Sequence, residues 1–195
     1  MDRSNHYEAA FEAYLRGRGV GCVPVDEGKR SVLGGAGVKS ADFIVVGEGS
    51  AKLVVDVKGR RFPGGSSQNP RKIWQTWTMQ EDAASVARWA SHFGSEFRGI
   101  LAFVYHVVAP FRLSDGTPDS FTFRDRHYLI RAVAADDYCA HMRPRSSRWG
   151  TVHLSTGDFR RVVRPFGQFL RPHPETYLAG ADAGARRMTP AAIIE

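Results

Sequence analysis

Apolar positions recur along this chain with two different periods. Between residues 6 and 18 the residues Tyr7, Ala10, Phe11, Tyr14 and Leu15 return at helical spacing, which predicts one helix with one buried face. Ser4 or Asn5 supplies its cap, and Gly17-Arg18-Gly19 ends it. Glu8 sits at the margin of the apolar face, whereas Glu12 lies further round toward solvent. Residues 20–25 form a short strand that Pro24 confines to an edge or a bulge, and a glycine-rich loop follows over residues 33–39. Residues 40–46 and 51–58 then read as two strands joined by Gly47-Glu48-Gly49-Ser50. A hairpin centred on Gly49 sets Asp42 directly opposite Asp56, and Lys58 shares their face. Ile44, Val46 and Val54 lie on that face as well. Phe43, Val45, Leu53, Val55 and Val57 occupy the other, so both faces need cover.

The covering helix is expected to begin after Asn69, a capping residue followed by Pro70, and to run to about residue 92. Its stripe of Trp77, Gln80, Ala84, Ala87 and Ser91 places Gln80 on the inward side near the beginning. Residues 99–108 predict a buried strand, and residues 109–120 a loop rich in Pro, Ser and Asp. Phe121-Thr122-Phe123 and residues 128–133 read as a second hairpin. A short helix near 136–142, a strand at 151–154 and a basic helix at 159–170 complete the pattern. From about residue 178 the chain is rich in Ala, Gly and Arg, and disorder is expected. The expected organisation is an α/β core over residues 1–109, an extension of the same domain over 110–177, and a tail over 178–195.

Length and composition sharpen this picture only at the margins. A chain of 195 residues suits one domain. Its formal charge of +7 favours polyanionic partners. Lys58, Arg60, Arg61, Arg71 and Lys72 form one stretch without an acid; Arg143, Arg145, Arg148, Arg160, Arg161, Arg164 and Arg171 form another, interrupted by Asp158 and open to reading as a solvated basic surface. Cys22 and Cys139 are too few and too distant for a zinc site or a disulfide framework. With no signal-like or membrane-length apolar run, the expectation is a soluble, cytoplasmic protein without a membrane partner.

The candidate chemistry lies in the first hairpin. Two carboxylates facing each other repel, and a divalent cation between them is the simplest reason to place them so. That is phosphodiesterase chemistry. Other constellations carry less. The segment Gly34-Gly35-Ala36-Gly37-Val38-Lys39-Ser40 imitates a phosphate loop, but Gly and Lys are not adjacent and a strand follows instead of a helix. The histidines at 106, 127, 141 and 153 lack metal-ligand spacing. Trp74 and Trp77 read as core at least as well as base-stacking platforms.

A helix with a glutamate, a strand, a hairpin carrying Asp and then Asp-x-Lys, a long helix and another buried strand resemble the PD-(D/E)xK nuclease superfamily, and within it the archaeal Holliday-junction resolvase branch. The likeness covers roughly residues 5 to 108. The opening His6-Tyr7-Glu8-Ala9-Ala10-Phe11-Glu12 is also similar to the signature of the bacterial HYExAFE family. The resemblance implies a restriction-endonuclease-like α/β fold: a mixed central sheet flanked by helices, here with a C-terminal hairpin and helix extension. It implies a Mg²⁺- or Mn²⁺-dependent endodeoxyribonuclease, structure-selective for branched DNA and serving repair or recombination, with a homodimer admitted. Glu8 matches the first-helix acid, Asp42 the first hairpin acid, Asp56 and Lys58 the (D/E)xK pair, and Gln80 a supporting helix residue. Asp42, Asp56, the Val57 carbonyl and Glu8 are the implied metal ligands; Ser31, Lys39, Arg60 and Arg61 are the implied nucleic-acid contacts. The chain departs from the pattern in lacking a Pro before Asp42, in carrying Asp56 where Glu is commoner, and in everything after residue 109. A nucleic-acid-binding module without turnover and a protein-interaction domain stay open as alternatives.

Overall fold

The structure, a computed structural model, describes residues 6–25, 31–33, 36–66 and 68–171, with the side chains of residues 31–38 and 50 outside the description. Helix α1 (His6–Gly17) leads into strand β1 (Gly21–Pro24) and a small hairpin, β2 (Ser31–Leu33) and β3 (Ala36–Val38). Strands β4 (Phe43–Val46) and β5 (Lys52–Phe62) make the central hairpin. The minor strands β6 (Gly64–Gly65), β7 (Pro70–Arg71) and β8 (Thr78–Met79) precede helix α2 (Gln80–Phe93) and strand β9 (Phe97–Val107). Strands β10 (Ser120–Phe123) and β11 (Arg126–Ala134) follow, then helix α3 (Ala135–His141). Strands β12 (Arg143–Ser146) and β13 (Thr151–His153), helix α4 (Thr156–Val162) and strand β14 (Arg164–Pro165) complete the order of elements.

The main sheet runs β1-β4-β5-β9-β11-β10, with β14 added beside β11. Among the described residues only β5 and β9 pair in parallel; the other pairs of this sheet are antiparallel, which makes it mixed. A parallel pair needs a crossover, and α2 supplies it. Phe11 of α1 packs with Phe43, Val45, Leu53, Val55 and Val57 on one face of the sheet. Val86 of α2, Tyr138 of α3 and Phe159 of α4 pack with Val54, Leu101 and Phe103 on the other. Both faces of β4 and β5 are therefore covered, as their apolar composition requires. This is the α/β architecture expected from the order of elements: a mixed central sheet flanked by helices.

The central hairpin has the expected register. Phe43 pairs with Val55, Ile44 with Val54 and Val45 with Leu53, about a turn in which Gly49 takes the left-handed conformation at φ 55°. Strand β1 lies at the sheet edge, where Pro24 costs no ladder bond within the sheet. Three expectations need correction. The glycine-rich loop contains the β2–β3 hairpin. The basic helix is the shorter α4, and β12 adds a strand to β13. Above all, the covering helix starts ten residues after Pro70, at Gln80. Residues 72–77 stay out of the helix because they are bonded to distant parts of the chain: Thr76 exchanges hydrogen bonds with Leu154, while Tyr105 and Tyr138 donate to the Gln75 and Thr76 carbonyls. These bonds outweigh the local capping signal of Asn69-Pro70.

Candidate active site

Asp42 precedes β4 by one residue, and the hairpin register carries it opposite Asp56. The ladder changes there. The Asp42 N–H donates to the Val55 carbonyl at 3.0 Å, and the Val57 N–H donates to Asp42 Oδ2 at 2.5 Å. Because side chains alternate along β5, the inward turn of Val55 and Val57 toward α1 sends Asp56 and Lys58 toward α2. Asp42 and Asp56 are 8% and 2% exposed, which removes both carboxylates almost wholly from water.

The partner facing them from α2 is Asp82, also buried, in the first turn of the helix where the macrodipole favours an anion. Lys58 Nζ lies 2.7 Å from Asp56 Oδ2 and 2.5 Å from Asp82 Oδ2, and Lys39 Nζ lies 2.8 Å from Asp82 Oδ1. Thr78 donates to Asp82 Oδ2 at 3.3 Å. The contact of Lys58 with Asp56 is ionic but outside hydrogen-bond angles, so the buried Asp56 Oδ2 has no hydrogen-bond partner. Asp56 and Asp82 thus share the Lys58 ammonium, and Asp82 has Lys39 besides.

The electrostatics follow from burial and from that sharing. Burial drives the Asp56 carboxyl above its ordinary value; Lys58 opposes this and Asp82 adds to it. Burial pulls Lys58 down, but Asp56 and Asp82 together outweigh it and hold the ammonium charged above its ordinary range. At Asp82 burial is overcome by Lys58 and by the hydrogen bonds from both lysines, so its carboxyl titrates low. One cation shared between two acids satisfies Asp82 and leaves Asp56 short.

The remaining candidates fall in different places. Gln80 is exposed at the first position of α2, its N–H bonded to the Gly150 carbonyl, and it does not face the cluster. Asp82 occupies that inward position instead. Its signal was present in the sequence as the stripe Asp82, Val86, Ala90, which becomes visible once the helix is started at residue 80. Glu8 is half-buried on α1, whose apolar side packs on the sheet face opposite Asp56. Among the described residues no three His, Cys, Asp or Glu side chains converge as metal ligands. Lys39 is drawn into the cluster by its ion pair with Asp82. Arg60 lies over the Trp77 ring, its guanidinium carbon 3.9 Å from the centroid, and bonds the Gly59 and Trp77 carbonyls. Arg61 is exposed. The Ser31 side chain lies outside the described residues.

The residues present fit a hard divalent cation. Asp42 and Asp56 offer buried carboxylate oxygens, one of them on Asp56 without a hydrogen bond, and oxygen donors of this kind are what a hard ion takes. No family model matches the chain and no curated protein does, which leaves the likeness of residues 6–12 to the HYExAFE signature without support. Among solved structures the chain is similar to Hjc, a Holliday junction resolvase from the archaeal hyperthermophile Archaeoglobus fulgidus. The identity is 11% and the TM-score 0.47, over 85% of this chain and 98% of that one. Among the described residues no helix is long and apolar enough to cross a membrane.

Proposed function

We propose that this protein is a metal-dependent endonuclease that hydrolyses phosphodiester bonds of DNA, with a preference for branched DNA. The observation that carries the reading is the juxtaposition of Asp42, Asp56 and Lys58 on one face at the end of the central hairpin, with an oxygen of Asp56 lacking any hydrogen bond. Asp42, Asp56 and the Val57 carbonyl would hold Mg²⁺ or Mn²⁺, which when bound supplies Lewis acidity toward a phosphoryl oxygen and a more acidic water. Lys58, held charged by two carboxylates, stabilises negative charge developing on the phosphoryl group and positions the attacking water. It does not serve as the base. Asp82 fixes the Lys58 ammonium, and Thr78 fixes Asp82. Glu8 is assigned an outer role in orienting water, and Arg61 a flanking phosphate contact.

A cleavage assay with Mg²⁺ or Mn²⁺ against duplex, single-stranded, flap and four-way-junction DNA tests the reading. Cutting is expected in the wild type and lost in Asp56→Asn, with Glu8→Gln losing more activity than Glu12→Gln, whose carboxylate is tied to Arg16 at 2.7 Å. Thermal melts give a second readout. Saturating metal should stabilise the wild type by mass action, about 2.7 kcal/mol at a hundred times the dissociation constant. Equal metal-induced shifts in wild type and Asp56→Asn would remove the aspartates from the metal site. The chain of ion pairs Lys39–Asp82–Lys58–Asp56 favours one rival, a DNA-binding protein without turnover. Binding with no cutting of any substrate in either metal would establish that rival.

A further inference from the structure

The extension builds a second site beside the first. Residues 71–77 and the segments that close over them line a cavity of about 730 Å³. Its wall carries Arg71, Lys72, Arg131, Arg145, His153 and Arg160, and no carboxylate. Among the described residues, Arg71, Lys72, Arg145 and Arg160 form no salt bridge with any acid of the protein. Cations gathered without counter-charge repel one another, so the arrangement is complete only with an anion from outside.

The cavity is also built to keep its shape. Its floor is the segment over residues 72–77, bonded to Leu154, Tyr105 and Tyr138. The Arg145 guanidinium carbon lies 4.8 Å from the centre of the Trp77 ring. Such stacking steadies the planar group while its N–H edges stay available to phosphate oxygens. His153 Nδ1 is buried at this wall with no hydrogen-bond partner. The position matters as much: Trp77 lines the cavity, and the next residue, Thr78, bonds Asp82 of the candidate active site.

We infer that this cavity binds the phosphodiester backbone of a single-stranded DNA arm adjoining the cut, an inference that rests on the nuclease reading for the identity of the polymer. A concave, basic cavity admits a flexible strand, whereas a duplex backbone is a stiff convex ridge. The site thereby selects DNA in which duplex meets single strand.

The test is equilibrium binding in EDTA, measured by fluorescence anisotropy over a salt series, with labelled oligothymidylate, a blunt duplex and a duplex with splayed arms. Wild type should bind the splayed duplex more tightly than the blunt one. Arg145→Ala with Arg160→Ala, both exposed side chains, should weaken oligothymidylate binding roughly tenfold and lower its log–log salt slope by about 1.4, because two phosphates of the single strand are then no longer neutralised. Binding of the blunt duplex should not change. An unaltered slope and affinity for oligothymidylate in the double variant, or equal wild-type affinities for splayed and blunt duplexes, overturns the inference. If the pocket binds as expected but nothing is cut, the nuclease reading falls alone; if blunt and splayed DNA are cut alike and the variants bind as wild type, the pocket falls alone.

Discussion

Asp119 and Asp56 are both carboxylates almost removed from solvent, 6% and 2% exposed, and the chain treats them in opposite ways. Asp119 Oδ1 accepts from the Tyr14 hydroxyl at 2.7 Å and from Arg18 at 3.3 Å, and its Oδ2 accepts from the Gly167 N–H at 2.9 Å. Both oxygens are satisfied, and the bonds tie α1 to the loop before β10 and to the segment after β14. Asp56 is surrounded by charge instead. It shares Lys58 with Asp82, lies opposite Asp42, and one of its oxygens has no hydrogen bond. Asp119, which ties elements of the fold together, is given donors enough for both oxygens; Asp56, the acid of the proposed site, is left with unmet capacity that a ligand could use.

The largest expected effect falls on the cation of the candidate site. Lys58→Met leaves Asp56 and Asp82 facing each other without their shared ammonium, and chemical denaturation at neutral pH should show a loss of about 3 kcal/mol. A neutral result would mean that the site is as self-sufficient as Asp119. Next comes Asp119→Asn, which keeps the shape but turns an amide toward donors. The expected cost is about 2 kcal/mol, because the Tyr14 hydroxyl or the Gly167 N–H loses its acceptor.

The smallest effect is the sharpest test of the contrast. Asp56→Asn in EDTA should be neutral or stabilising by up to about 1 kcal/mol, since it removes a buried charge that burial and the like charge of Asp82 disfavour. The pH dependence follows from the raised pKa of Asp56. Above its unfolded value of 3.8 the folded protein retains the proton more strongly, so wild-type stability declines as pH rises through the folded value. The advantage of Asp56→Asn should therefore be absent below pH 3.8, grow as pH rises through the raised pKa, and level off above it. Melts of both proteins across that range check the sign. An advantage that grows toward acid would show that Lys58 satisfies Asp56 fully.

The sequence alone determined the central hairpin. The turn Gly47-Glu48-Gly49-Ser50 between two apolar runs sets the register, and a one-residue slip would put Asp42 and Asp56 on opposite faces. Opposition of Asp42 and Asp56 follows from that register without any long-range information. The buried face of α1 was legible for the same reason, since Ala10, Phe11, Tyr14 and Leu15 lie within a few turns of one another. The start of α2 was decided by tertiary structure. Thr78 pairs with Val152 and Met79 with Thr151, and Gln80 bonds Gly150, some seventy residues away. These bonds hold residues 78–79 in a strand where Asn69-Pro70 would locally start a helix, and they set the helix face so that Asp82, not Gln80, meets Lys58. Sequence periodicity reports which residues share a face once an element is placed. Where an element begins, when distant strands hold its first residues, depends on contacts that no local pattern contains.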